Sequence, residues 1–301
     1  MVTTKEILRL PEPILPGHAA CAGCSSSLGL RYALKALGED VIMSVPACCT
    51  SVWQGPYPKS AITVPVLNIA FAAAASAASG ISAALESKGK KDTTVLAWAG
   101  DGGSVDIGLA AISGAAERND NMIYVTYSNE SYSNTGVQKS GATPPGARTK
   151  TTPKGRVGFP KDISLIMWTH NLPYVATACT SYPRDFIEKL RKAQTMDGFK
   201  FIYLLAPCAI GWRFPSEKTI EIGKLAVESG AHILWEAIDG DIELSRLSKR
   251  YEDPAKRKPL EDYLKDQGRY RGIGGELLQS YRDYIDHQWA IITSLAKIKQ
   301  K

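Results

Sequence analysis

Asp101 and Asn129 are the residues whose chemistry and spacing are most specific. Asp101 stands in Gly100-Asp101-Gly102, and Asn129 follows 28 residues later in Ser128-Asn129-Glu130. Ahead of Asp101 runs Thr94-Val95-Leu96-Ala97-Trp98-Ala99, an apolar stretch of the kind that makes a buried parallel strand. Ser104 to Arg118 reads as a helix of small residues, and Met122 to Tyr127 as the next strand. A carboxylate therefore leaves the tip of one strand and a side-chain amide the tip of the next. In a parallel sheet both tips lie along the edge where ligands bind. Mg2+ takes about six oxygens, usually shared between a few protein groups and phosphates. Asp101, the Asn129 side chain and the Ser131 carbonyl can supply the protein's share. Gly100, Gly102 and Gly103 let backbone approach phosphate, and a helix N-terminus near Ser104 favours its charge. The chemistry is that of a magnesium diphosphate.

The cysteines form a second constellation, in the order Cys21-x2-Cys24-x24-Cys49-x158-Cys208. Thiolates ligate iron–sulfur clusters, four to a cubane, and one pair is usually a tight C-x-x-C. Zinc is the alternative for four cysteines, although a structural zinc site more often carries a second close pair. Pro207 stops the apolar strand Phe199 to Leu205 just before Cys208, which places that thiol at a sheet edge. Cys179, at the end of another apolar strand, reads as a core thiol.

Gly100-Asp101-Gly102 followed at this distance by Asn129 resembles the thiamine diphosphate motif. The continuation Tyr132-Ser133-Asn134-Thr135-Gly136-Val137-Gln138-Lys139-Ser140-Gly141-Ala142-Thr143-Pro144 resembles the cofactor loop of pyruvate (2-oxoacid):ferredoxin oxidoreductases, in their β subunit. The cysteines carry the same likeness. His18-x-x-Cys21-x-x-Cys24 is similar to the family's first pair, and Cys49 before Thr50-Ser51-Val52-Trp53 to its third ligand. Pro207-Cys208-Ala209-Ile210-Gly211-Trp212 is similar to its fourth. Cys48 stands where the family usually has glycine, which leaves Cys48 and Cys49 in competition for one ligand position. The resemblance covers about Leu15 to Trp212.

Around these residues the chain reads as α/β: a doubly wound, mostly parallel sheet, with an N-terminal cluster-binding arm over residues 1–25 and a C-terminal helical extension. Residues 1–17, with Pro11, Pro13 and Pro16, read as an extended arm. A helix from about Ser26 to Leu37 precedes a strand, Val41 to Val45, and Asn68 to Glu86 reads as a buried helix. Pro144 to Pro160 is a loop. Lys161 to His170, Pro183 to Gln194 and Glu217 to Ser229 read as helices; Tyr174 to Ala178, Phe199 to Leu205 and His232 to Ile238 as strands. One α/β domain is expected over 1–238. Residues 239–301 form a charged, proline-punctuated extension that faces a partner and ends in a helix from Glu276 to Ile298.

Composition narrows the function classes. At 301 residues, 44% apolar and 22% charged, the chain can bury a substantial core. A net charge of +6, spread along the sequence, does not point to nucleic acid, although a basic face could dock an acidic electron carrier. Ile62 to Leu85 lacks charge and is long enough to span a bilayer. Its Pro65, Asn68 and small residues make it a packed element instead, so no membrane partner is expected. Six cysteines in so long a chain are no disulfide framework, and Met1 to Leu10 has no apolar signal core. Both point to a reducing cytoplasm.

The resemblance implies oxidative decarboxylation of a 2-oxoacid, pyruvate first, to an acyl-coenzyme A and CO2. Thiamine diphosphate, Mg2+ and a 4Fe–4S cluster are the implied cofactors, and ferredoxin takes the electrons. It implies Asp101, Asn129 and Ser131 at magnesium, Gly100, Gly102, Gly103 and Ser104 at the diphosphate, and Asn134 and Thr135 at the reacting end. His18 would point to the cofactor or the cluster edge. No glutamate can be placed beside the aminopyrimidine, so an α subunit is expected to bring it and part of the substrate pocket, with γ/δ-type subunits carrying further clusters. Branched-chain, aryl and oxalate-type 2-oxoacids remain open, as do a non-oxidative thiamine enzyme and a scaffold subunit with a decayed site.

Overall fold

The computed structural model describes residues 3–298. Its strands are β1 Val41–Pro46, β2 Val66–Ile69, β3 Thr94–Gly100, β4 Met122–Ser128, β5 Tyr174–Cys179, β6 Phe199–Leu205, β7 Trp235–Ile238 and β8 Asp241–Leu244. They form one sheet in the order β2-β1-β3-β4-β6-β5-β7-β8. β1 to β6 pair in parallel, and β7 and β8 add antiparallel at one side. The central strands are apolar on both faces because helices cover both: every residue of β4 is buried. On one face Leu30 and Leu34 of the helix Ser25–Leu37 and Phe186 and Leu190 of Pro183–Gln194 share a core with Trp98 and Val125. On the other, Ala78 of Ala74–Ser87 and Ile112 and Ala115 of Leu109–Glu117 pack through small residues with Ala97 and Tyr124. The α/β, doubly wound and mostly parallel expectation holds.

Several elements differ from the sequence reading. The expected helix from Asn68 is a short edge strand, β2, followed by a turn and the helix Ala74–Ser87. β2 is half exposed, so no buried apolar run announces it. The N-terminal arm contains a helix, Thr4–Arg9, started by a Thr3–Glu6 capping box. After β3 the chain enters a π-turn, Gly102–Asp106, and the regular helix begins only at Leu109. Gly108 permits this: a Cβ there would lie 2.0 Å from the Gly103 carbonyl oxygen. His232 to Ile238 is a shorter strand than expected, and it returns as β8 through Asp239 (φ 48°) and Gly240 (φ 89°). Two successive positive φ angles are the signature of the tight turn that matches strand twist. The boundary expected at residue 238 falls in this turn.

Beyond it, Tyr263, Tyr270, Tyr281 and Trp289 are buried against the main core. Trp289 and Ile292 lie on the inner side of the terminal helix Gly275–Leu295, as expected. The loop 144–160 is held from within by buried Arg156, whose guanidinium donates to the carbonyls of Gly141 (3.0 Å), Thr143 and Phe159. Among the described residues no helix is long and apolar enough to cross a membrane.

Candidate functional site

Four neighbouring strands deliver the candidate residues to one edge. β1 ends at Pro46 and leads to Cys48 and Cys49; β3 ends at Gly100, next to Asp101. β4 ends at Ser128, next to Asn129, and β6 at Leu205, three residues before Cys208. Register aligns Gly100 with Tyr127 and Ser128 with Leu205, so these tips lie abreast at the carboxyl edge of the parallel sheet.

Two adjoining cavities open there. One, of about 110 Å3, is lined by Gly100, Asp101, Gly102, Gly103, Asn129, Ser131, Asn134 and Thr135, with Phe71 and Tyr132. The other, of about 120 Å3, is lined by Cys21, Cys24, Cys49 and Cys208, with Trp53 and Ile210. Cys49, Asn129 and Asn134 line both.

The donor set of the first cavity fits a cation. One terminal atom of the Asn129 amide lies 3.2 Å from Asp101 Oδ1, 2.8 Å from the Ser131 carbonyl oxygen and 2.9 Å from Ser133 Oγ. With nitrogen there, the amide donates to all three. With oxygen there, three expected magnesium ligands converge with no proton between them, an arrangement a cation satisfies. Asp101 is buried, and burial pushes its carboxyl up to about 8, against the hydrogen bond from Ser140 Oγ to Oδ2. A carboxylate held dry without a counter-charge is poised for a metal.

That burial has a consequence for the cofactor-free chain. A folded-state pKa above the unfolded value near 4 makes stability greatest in acid, and stability falls as pH rises from about 4 to about 8. Asp101→Asn should flatten this slope and stabilise the cofactor-free chain at pH 8 by on the order of a few kcal/mol. Urea unfolding at pH 5 and pH 8 checks it; an equal gain at both would count against a buried, protonated Asp101.

Other residues shape the same cavity. The Tyr132 ring covers Gly102, where a Cβ would come within 2.5 Å of it. Asp106, at the end of the π-turn, clasps the cofactor loop: Tyr132 OH donates to Oδ2 at 2.9 Å, the Gly141 N–H donates to Oδ2 at 2.8 Å, and Lys161 Nζ lies 3.0 Å from Oδ1. Ser104, expected at the diphosphate, turns its hydroxyl into the core instead, donating to the Gly100 carbonyl at 2.9 Å beside Tyr124 OH. The π-turn rotates it there. Thr135 lies at the exposed mouth, its Oγ1 donating to Gln138 Oε1 at 2.6 Å.

The second cavity brings four cysteines from three parts of the chain together. Cys24 caps the helix Ser25–Leu37, Cys49 opens Cys49–Trp53, and Cys208 caps Ala209–Trp212. The Gly211 N–H donates to Cys208 Sγ at 3.2 Å, a bond that favours thiolate. The Cys49 thiol is pushed up by burial first, then by the charges of Cys208, Cys48, Cys24 and Cys21; burial also raises Cys208. Both shifts favour the protonated thiol in the chain with nothing bound. Among the described residues no three His, Cys, Asp or Glu side chains stand close enough to hold a single metal ion. Tetrahedral zinc would draw sulfurs to roughly 4 Å of one another.

The remaining cysteines and His18 fall elsewhere. Cys48 is buried beside the Tyr127 hydroxyl and lines the first cavity, not the four-thiol one. Cys179 is fully buried, its thiol 3.5 Å from the Gly223 carbonyl, a core position as expected. His18 lies on the outer side of the cysteine pair, in a groove with Cys21 and Cys24 and in neither cavity. Its Nδ1 accepts the Ala20 N–H at 3.3 Å, and its ring packs 5.4 Å from Trp53. Sequence reasoning missed Phe71, Asp106, Tyr132 as a lid on Gly102, and Ser140. It also missed that Trp212 Nε1 donates to the Asn129 carbonyl at 2.7 Å. The Gly-Trp pair after Cys208 was the one available signal.

A doubly wound sheet whose Gly-Asp-Gly and Asn strand tips meet at one edge defines a thiamine diphosphate-binding protein. The family described as "Thiamine pyrophosphate enzyme, C-terminal TPP binding domain" matches residues 47–204. Pyruvate synthase subunit PorB of Methanothermobacter thermautotrophicus is 46% identical over 93% of this chain and 97% of its own length. Ketoisovalerate oxidoreductase subunit VorB of Pyrococcus furiosus is 42% identical over 95% and 94%. A solved 2-oxoglutarate:ferredoxin oxidoreductase from Magnetococcus marinus shares the fold, with a TM-score of 0.58 at 23% identity over 72% of this chain and 81% of that one. The chain belongs to the β-subunit family of the thiamine diphosphate-dependent 2-oxoacid:ferredoxin oxidoreductases.

Proposed function

We propose that this subunit takes part in the oxidative decarboxylation of pyruvate to an acyl-coenzyme A and CO2 in a reducing cytoplasm, with electrons leaving through a 4Fe–4S cluster to ferredoxin. The observation that carries this is the shared wall of the two cavities, made by Cys49, Asn129 and Asn134. A decarboxylating cofactor and an electron acceptor would stand side by side across it. Thiamine diphosphate, when bound, supplies the electron sink that loss of CO2 requires. Asp101, Asn129 and the Ser131 carbonyl hold its magnesium, and the backbone at Gly100, Gly102 and Gly103 accommodates the diphosphate. Asn134 faces both cavities and orients the reacting end, while Thr135 guards the mouth. Cys21, Cys24, Cys49 and Cys208 hold the cluster. Tyr132 and Phe71 exclude water from the diphosphate side.

Among the described residues no glutamate lines either cavity. The α subunit supplies that glutamate and part of the substrate pocket, and γ/δ-type subunits carry the electrons onward. Expressed alone, this chain should therefore show no 2-oxoacid oxidation even when loaded with cofactor, Mg2+ and cluster. Robust turnover by the homogeneous isolated subunit would refute the division of labour. The resemblance of the Tyr132 to Pro144 loop supports pyruvate; the ketoisovalerate-named relatives make a branched-chain acid the second reading. Ferredoxin reduction by the purified complex, run with pyruvate and a panel of branched-chain, aryl and other 2-oxoacids, decides. A higher kcat/KM for a branched-chain acid would replace pyruvate.

A further inference from the structure

Arg269 belongs to the charged C-terminal region, yet it is buried behind the two cavities. Its guanidinium forms an ion pair with Glu130, 2.6 Å from Nη1 to Oε2, with both side chains shielded from solvent. The same guanidinium lies flat over the Trp212 ring, 3.6 Å from the centroid. Trp212 closes the short helix that Cys208 caps, and its indole N–H donates to the Asn129 carbonyl at 2.7 Å. Glu130 directly follows Asn129 and sits in the left-handed region, φ 60°, a conformation that costs free energy unless its surroundings enforce it. Arg269 is itself braced: Nε donates to Gln267 Oε1 at 2.9 Å, its carbonyl accepts the Arg148 N–H at 3.0 Å, and the Gly268 N–H donates to the Arg213 carbonyl at 3.0 Å. One planar cation thus touches the β4 tip on one side and the Cys208 helix on the other.

We propose that Arg269 is a positioning residue that couples the two cofactor sites, fixing the backbone of Asn129 and the helix of Cys208 in one arrangement. This rests on the proposed magnesium and cluster roles of those residues. Lysine could keep the charge beside Glu130 but not the planar face stacked on Trp212, so the arrangement calls for arginine. Loosening the contact at either end releases both.

The test uses the whole complex, purified without oxygen. Arg269→Lys should weaken magnesium-dependent thiamine diphosphate binding by about tenfold, the scale of lost outer-shell partners. It should also shift the electron paramagnetic resonance g-values of the reduced cluster while iron content is kept. Trp212→Phe, which leaves the buried ion pair whole, should do the same by itself, so a folding defect in the lysine variant does not blunt the test. The double variant should lose less than the product of the two single losses, because part of the effect of Arg269 passes through Trp212. A lowered melting temperature with unchanged cofactor affinity and cluster spectrum would make Arg269 merely structural and overturn the proposal. So would additive losses in the double variant. Wild-type complex lacking iron or thiamine diphosphate would instead refute the underlying site assignment.

Discussion

Asp101→Ala should leave the protein unable to retain thiamine diphosphate, with magnesium-dependent affinity lowered by more than about 100-fold. Groups one bond further from a metal typically cost 10- to 100-fold, and Asp101 is the charged ligand itself. Among the described residues it is the one carboxylate that lines the first cavity, so the diphosphate–magnesium unit would lose its charged anchor to the sheet. Asn129→Ala should cost less, roughly tenfold, because a neutral amide is replaced and water can take its place. The Asp101→Ala variant should fold: Asp101 is buried and pushed up to about 8, so the cofactor-free chain gains no ion pair from it and is relieved of its desolvation penalty as pH rises toward 8. Loss of binding without loss of fold is therefore the expected pattern, read by calorimetry with Mg2+ and cofactor beside a thermal melt. Equal cofactor content in wild type and variant would sink the magnesium assignment.

Cys208→Ser should remove the cluster and lower thermal stability together. Its thiol stands across the four-thiol cavity from a segment separated by 158 intervening residues, Cys49 to Cys208. A cluster spanning them closes that loop as a cross-link would, worth roughly 5 kcal/mol on chain entropy, or a melting shift on the order of 10 °C. The arm is tied to the same place by weaker bonds, Ser25 Oγ to the Pro207 carbonyl and Thr219 Oγ1 to the Gly23 carbonyl, which hold the shape but not the cluster. Cys49→Ser should behave like Cys208→Ser. Cys48→Ser and Cys179→Ser should keep their iron, since neither thiol lines the four-cysteine cavity. A Cys208 variant with full iron and an unchanged resonance signal would overturn this ligand set.

The strands that carry the site were legible because they are buried on both faces. β3, β4, β5 and β6 read as continuous apolar runs, and the proline-started helix Pro183–Gln194 matches its expected bounds. β2 and β8 were not legible, since a four-residue strand at a sheet margin has neither a run nor an alternation long enough to see. The site divides in the same way. Asp101, Asn129 and the pair Cys21 and Cys24 could be named because motif spacing reports strand tips and a thiol pair, whereas Cys49 and Cys208 were named from the family likeness of the residues around them. Ser140, Asp106 and Arg269 could not, because they reach the site only through tertiary packing. Arg269 lies 140 residues after Asn129 in a stretch whose charges and prolines read as surface. The inward turn of the Ser104 hydroxyl was not legible either, because no sequence rule marks the π-turn in which it sits.

The central claim is that one chain holds thiamine diphosphate and a cubane cluster across a shared wall. Its most direct test is quantitative analysis of iron, acid-labile sulfide, zinc and thiamine diphosphate in the complex purified without oxygen, normalised to this subunit after separation of the others' clusters. About four iron and four sulfide should remain with this chain, beside one thiamine diphosphate and no stoichiometric zinc. Thiamine diphosphate with zinc, or with no metal at the cysteines, would contradict the account.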